Sequence, residues 1–377
     1  MQSRLSISST ARLHRRAGRG NLSQVICRLL TIALVTFAGG GSAFAWDYEG
    51  HRTVNLLAID SLPPGFPAFI KESASRERIG FLAGEADRWR NTPDLPLKHA
   101  NGPDHFIDIE DLIDPKKFNI PVQFWSPFRY AFVEQLVEAR MRFPDRLPAI
   151  PKAQNWDRTK QFTGFLPWTI MEYYSKVKSG FSYLKAFEEL GTAEEIRQAR
   201  ENLLYVMGVM GHFAGDASQP LHTTKHYNGW VGDNPRNYTT NRTFHSWIDG
   251  GFLSKTGGID AAKLRGRLRP ALARKTIDGR TDFIFPVITG FIMEQHPLVE
   301  PLYRLEQSGR LNAEAKETRE GQQFLEGQIV KAAQFLGDLW LTAWKNASED
   351  KYLIGKLNER KLDATRSPDG GKRGVRK

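Results

Sequence analysis

Residues Thr192 to His222 read TAEEIRQARENLLYVMGVMGHFAGDASQPLH. Thr192 and Glu195 have the spacing of a capping box, and a long apolar-periodic run follows through Leu203, Val206, Val209 and Phe213. The stretch predicts one long helix. On it His212 and Asp216 stand four residues apart and so share a face. His222 comes just past the helix end, after Gln219-Pro220-Leu221. Outward from this segment, helical spacing dominates the chain. Helices are expected over Glu49–Leu62, Pro127–Arg142, Pro167–Leu190 (one or two), Phe244–Leu253, Ile259–Arg274, Phe283–Gln295 and Ala313–Asn346. Tyr227–Arg242 is polar, with Gly, Pro and Asn, and reads as a loop. Two-residue alternation is nearly absent and no repeat occurs. The expected fold is a single all-α, multi-helix domain.

The chain has 377 residues, 53 basic against 42 acidic, for a net +11, and one cysteine. Forty per cent hydrophobic and 25% charged residues argue against a disordered, collagenous or multi-span membrane protein. A single cysteine excludes a disulfide scaffold and any multi-Cys zinc site. Residues 1–45 carry Arg4, Arg12, Arg15, Arg16, Arg19 and Arg28 with no acid, then an apolar run from Leu29 to Ala38, then Ala43-Phe44-Ala45. This is the layout of a secretory signal peptide cleaved before Trp46. The apolar run is short for a membrane span. Cleavage removes Cys27 and six basic residues, so the charge falls from +11 to +5, too little to argue nucleic-acid binding. The product is expected to be secreted or periplasmic, with a domain over 46–350. A basic, disordered tail is expected over 351–377.

Histidine and aspartate recur in short motifs. These are Trp46-x4-His51, Ala86-Asp87-x2-Arg90, Asp104-His105-Phe106-Ile107-Asp108, His212-x3-Asp216 with His222, and His245-Ser246-x2-Asp249. One His-x3-Asp pair alone is usually a surface or capping interaction. Two such pairs, a third histidine beside one of them, and further His and Asp elsewhere make a nitrogen- and oxygen-rich set. Such a set suits zinc without thiolate, and helical bundles build such sites from facing side chains.

Together these motifs resemble the S1/P1 nuclease family, whose fold is shared with bacterial zinc-dependent phospholipase C. They span Trp46 to Asp249. The resemblance implies three zinc ions per chain. Asp87, His105, His212 and Asp216 would hold the first. His222, His245 and Asp249 would hold the second. The third would take the freed amine and the carbonyl of Trp46, with His51 and the other oxygen of Asp216. The ligand position at Trp46 and the cleavage site before it are separate readings that agree.

Three zinc ions and three ligand carboxylates would leave about +3 to face an anionic substrate, with the histidines neutral. The implied activity is hydrolysis of a phosphodiester by a zinc-activated hydroxide, with Asp87, Arg90 and Asp216 as the catalytic set. Arg90 would clamp a non-bridging oxygen. Its alternative is a plain ion pair with Asp87 or Asp94. Phe106 would stack on a base and Asp108 would accept from its edge, which favours single-stranded DNA or RNA, or nucleotides. Phe106 as an ordinary core residue stays open.

The loop before His245 departs from the family. Nucleases typically carry Gly-Asp-x-Gly-Gly-Asn there, whereas this chain has Gly232-Asp233-Asn234-Pro235-Arg236-Asn237. Asn237 is expected to keep the polar substrate-binding role. His226 is a candidate support for the ligands. An insertion around Pro115–Pro167 is expected to shape the cleft rim. The primary reading is an endonuclease and 3′-nucleotidase. The alternative is a zinc phospholipase C acting on phospholipid head groups, although that branch usually has Glu where Asp249 stands. A metal-binding protein without turnover is disfavoured by the open coordination positions. No obligate protein partner is evident.

Overall fold

Asp47 opens the first helix by accepting the backbone N–H of Gly50 at 3.2 Å, and Pro63-Pro64 prevents its continuation. The computed structural model describes residues 46–366 apart from 147–149, 151 and 276–283. The expected leader and the last eleven residues of the expected tail lie outside these residues. The helices used below are α1 (Tyr48–Ser61), α2 (Ser73–Leu82), α3 (Glu85–Asn91), α4 (Leu95–Asn101), α5 (Arg129–Arg142), α6 (Leu166–Leu190), α7 (Ala193–Ser218), α8 (Phe285–Gln295), α9 (Val299–Gln307), α10 (Arg319–Asn346) and α11 (Lys351–Arg366). Among the described residues there is no strand, and no helix is long and apolar enough to cross a membrane.

The chain is all-helical, and its centre is built from four helices. α6 packs on α7, and α10 packs on α1, α6 and α7. The capping box forms: Thr192 Oγ1 accepts Glu195 N–H at 3.2 Å, and Glu195 Oε2 accepts Thr192 N–H at 2.8 Å. Tyr174, Phe181, Phe213, Leu336 and Trp340 on these helices are fully buried, and Trp168 at the start of α6 is buried against Phe132 of α5 and Phe285 of α8. Each large apolar side chain so buried contributes about 1.5–3 kcal/mol.

α1 approaches α7 so closely that glycine is required at the crossing. A Cβ on Gly211 would lie 1.5 Å from Asn55 Oδ1. Asn55 is buried and cannot easily retreat, because its Nδ2 donates to the carbonyls of Ile79 at 2.8 Å and Gly208 at 2.9 Å. That one amide ties α1, α2 and α7 together.

Three expectations need correction. Only Ala261–Arg265 is helical within Ile259–Arg274. Pro270 interrupts that stretch, and its backbone pairs elsewhere: Ala271 N–H with Ser61 O at 2.8 Å, Leu272 N–H with Asp338 Oδ1 at 2.8 Å, Arg274 N–H with Thr342 Oγ1 at 2.9 Å. α10 begins at Arg319 rather than Ala313, because Asn312 closes a turn on Glu314 N–H (3.0 Å) and Ala315 N–H (3.0 Å). The expected tail is helical over Lys351–Arg366. Asp350 accepts Leu353 N–H at 2.9 Å, Leu357 is buried, and Arg360 pairs with Glu195 at 2.6 Å. Pro167–Leu190 is a single helix within α6.

Two alanine substitutions separate packing from propensity. Gly211→Ala should lower the unfolding free energy by about 1–3 kcal/mol, because Asn55 must give up its clamp. Gly290→Ala lies inside α8 with nothing among the described residues within 4 Å of the added methyl and should raise it by about 0.5–1 kcal/mol. Urea unfolding curves measure both.

Candidate metal centre

The long helix α7 delivers its ligands in its last two turns. His212 and Asp216, one turn apart, approach at 3.4 Å between Nε2 and Oδ2. α7 stops at Ser218, and the tight turn Pro220–Thr223 folds His222 back, Nδ1 lying 3.6 Å from Asp216 Oδ1. On the facing helix, His51 fills the space that a side chain at Gly215 would need; a Cβ there would lie 2.5 Å from His51 Nδ1. The indole N–H of Trp46 donates to the Gly215 carbonyl at 3.0 Å.

Three buried groups result, each able to hold a metal ion: Asp87, His105 and His212; His51, His212 and Asp216; His222, His245 and Asp249. In the first, Asp87 Oδ1 lies 3.9 Å from His105 Nδ1 and 3.8 Å from His212 Nε2. Asp216 turns Oδ2 toward it, 3.0 Å from His105 Nδ1. Its Oδ1 faces His51 Nε2 at 3.5 Å. In the third, the Nε2 atoms of His222 and His245 are 2.9 Å apart, and Asp249 Oδ2 is 3.1 Å from His245 Nε2.

All eight side chains expected as ligands are therefore brought together: His51, Asp87, His105, His212, Asp216, His222, His245 and Asp249. His212 stands in two groups, where one was expected; its ring stacks on that of His51 with centroids 3.9 Å apart. Trp46 is at the cluster too. Its backbone N–H lies against the Asp249 carboxyl, and the Asp47 N–H donates to the Asp249 carbonyl at 3.1 Å.

The electrostatics call for a cation. Burial pushes the carboxyls of Asp216 and Asp249 well above the usual range, and each is raised further by neighbouring aspartates. Burial also raises Asp87, against the opposing charge of Arg90. Asp216 Oδ1 is buried without a hydrogen-bond partner among the described residues, a costly state for a carboxylate oxygen that a metal would relieve. Burial pushes His212 and His222 down to about 3 and His105 and His245 well below their ordinary value. Neutral imidazole is the form that binds metal. The donor set therefore fits divalent ions.

Backbone carbonyls fix which nitrogen is offered. His212 Nδ1 faces the Ala83 carbonyl at 2.7 Å and His222 Nδ1 faces the His105 carbonyl. A neutral ring must carry its proton there, which leaves each Nε2 lone pair pointing into the cluster. Gln219, given no role from sequence, is buried and donates Nε2 to Asp249 Oδ1 at 3.0 Å, leaving Oδ2 toward His245. Its place between a ligand helix and a ligand turn was the available signal. His245 and Asp249 lie on a helix that changes pitch: Phe244–Ser246 is α-helical, Trp247–Gly251 is a π-turn and Phe252–Lys255 is α-helical. Such π-turns are frequent at functional sites.

A cleft of about 350 Å³ opens above His222 and His245, lined among others by Arg90, Phe106, Asp108 and Tyr227. Arg90 Nη2 pairs with Asp87 Oδ1 at 2.8 Å, so the ion pair forms, and the same side chain also lines this cleft. Phe106 is half-buried at the cleft wall rather than a core residue. The insertion contributes Asp157, Thr159, Lys160 and Phe162 to the rim. Asn237 does not line the cleft, contrary to expectation. It is exposed, with φ +52°, on a loop held away by the Arg236–Glu300 ion pair and by Gln307, which donates to the Arg236 carbonyl at 2.8 Å. His226 is likewise not a support of the ligands; it stacks on Trp230 at 3.9 Å beside a different cavity.

Because Asp216 offers its two oxygens to different histidines, Asp216→Asn should remove more metal per chain than Asp249→Asn. Elemental analysis of protein purified with zinc measures this, and equal losses would mean that each carboxylate serves a single ion. No protein-family model matches the chain, and no curated protein matches it significantly.

Proposed function

We propose that the chain is a secreted or periplasmic zinc-dependent phosphodiesterase of the S1/P1 nuclease type, fold included, acting on single-stranded nucleic acid and on 3′-nucleotides. One observation carries the reading: Asp216 divides its oxygens between two histidine groups, and His222, 3.6 Å from it, lines a cleft walled by an arginine and an aromatic ring. Five imidazoles with three carboxylates favour zinc over magnesium or calcium, which prefer oxygen ligands. The three-ion arrangement, with the Trp46 amine freed by leader cleavage, is part of this proposal.

A bound zinc cluster supplies Lewis-acid activation of water near neutral pH and charge relief for the phosphodiester. The chain's own residues do the rest. Arg90, steadied by Asp87, points its guanidinium into the cleft to hold a non-bridging phosphate oxygen. Phe106 offers a face for one base, worth about 1–3 kcal/mol whatever the base. Burial, together with Glu110 and Asp111, holds the Asp108 carboxyl well above the usual range. Asp108 thus keeps its proton to higher pH and can both donate to and accept from a base edge. Stacking on Phe106 needs an unpaired base, hence the preference for single strands.

Mature protein supplied with zinc should release nucleotides from single-stranded DNA in preference to phosphocholine from lecithin. The reverse order selects the phospholipase alternative, and cleavage of neither defeats both. Phe106→Ala should lower kcat/KM on single-stranded DNA about 5- to 100-fold with metal content unchanged. A chain that keeps one extra residue before Trp46 should lose one zinc equivalent and most activity; full activity there would remove the amine from the ligand set.

A further inference from the structure

Trp156 is 55% exposed, yet the loop that carries it is tightly held. Asn155 Oδ1 accepts Lys160 N–H at 3.0 Å, Asp157 Oδ1 accepts the Thr159 hydroxyl at 2.9 Å, and the Asp157 carbonyl meets His99 Nδ1 of α4 at 2.9 Å. A large exposed indole on a fixed loop is a candidate contact surface. Its surroundings indicate the ligand. Lys98 Nζ, from α4, lies 5.1 Å from the indole centroid. Lys98 and Lys160 both line the cleft that contains Arg90 and Phe106. Asp108 and Asp157 also line this cleft and Arg90 is paired with Asp87, so Lys98 and Lys160 are the cations that the cleft sets beside this aromatic face.

We infer that Trp156 and Lys98 form a second stacking position, at the cleft rim, for a neighbouring base of a single-stranded substrate, with Lys98 and Lys160 tracking its phosphates. The inference rests on the nuclease reading above. Aromatic faces interleaved with cations along a groove are what single strands require, and the combination tolerates any sequence. The insertion that supplies Trp156 would thereby select oligonucleotides over mononucleotides.

The test compares a single-stranded oligodeoxynucleotide with bis(p-nitrophenyl) phosphate, a diester too small to occupy the cluster and the rim together. Trp156→Ala should raise KM for the oligonucleotide about 5- to 100-fold while leaving kcat and the small diester unchanged, and Trp156→Phe should restore most of the loss. Lys98→Ala and Lys160→Ala should each flatten the salt dependence of oligonucleotide binding by about 0.7 in log–log slope. An equal loss on both substrates, or no change on either, overturns the inference. If the wild-type protein cleaves no oligonucleotide, the nuclease reading fails. Anisotropy of a labelled strand then still decides this one, since unaltered binding by Trp156→Ala overturns it.

Discussion

The centre depends on one buried carboxylate. Asp216 is fully buried, carries one oxygen without a hydrogen bond among the described residues, and stands among five buried histidines, four of which (His105, His212, His222 and His245) burial holds neutral. Neutral rings cannot balance its charge, and the nearby Asp87 and Asp249 make the imbalance worse. In an apolar interior such a group either takes up a proton or recruits a cation. Two separate histidine sets converge on its two oxygens, so the second outcome is the one the geometry prepares. The rest of the fold can be understood as the means of keeping that carboxylate dry and its neighbours in register.

The means are mostly glycine and backbone. Glycines 211 and 215 remove the side chains that would otherwise separate α1 from α7, and the spaces they leave are taken by Asn55 and His51. Asn55 is therefore a structural partner of the candidate metal centre without being one of its ligands: it helps set the distance at which His51 meets Asp216. The carbonyls of Ala83 and His105 then hold two rings in one tautomer. Those carbonyls lie at the end of α2 and in the segment before Phe106. Three chain segments remote in sequence must thus be in place before the ligand nitrogens are correctly presented.

This division explains what the sequence disclosed. The pairs His212/Asp216 and His245/Asp249 were legible because one helical turn brings residues four apart together whatever the rest of the chain does. His51, Asp87 and His105 were placed only through the family pattern, since nothing local links them to α7. Asn237 was misplaced because its loop is positioned by Glu300 and Gln307 on α9, some sixty to seventy residues away, a partner no local pattern announces. The helix expected over Ile259–Arg274 failed for a similar reason. The buried Asp338, on α10, takes Arg269, Arg274 and the Leu272 N–H, and so draws that backbone out of helical pairing. Gln219 was visible within a quoted motif, but its role appeared only with the burial of Asp249.

The proposed base platform and the candidate ligand cluster share one rigid connection. The N–H of Ile107 donates to the His222 carbonyl at 2.8 Å, while the His222 ring donates to the His105 carbonyl. Phe106, the proposed base platform, sits between the two residues that make these bonds. Moving its backbone would disturb a ligand of the first group and a ligand of the third together. A stacked base would therefore be registered against the cluster through two hydrogen bonds rather than through a flexible loop. On the proposed reading, variation in substrate choice is then confined to the part of the rim outside this connection, which is the insertion carrying Trp156 and Lys160. The insertion is also where the chain departs from the pattern it resembles, so the cleft can be reshaped while the ligand cluster stays fixed.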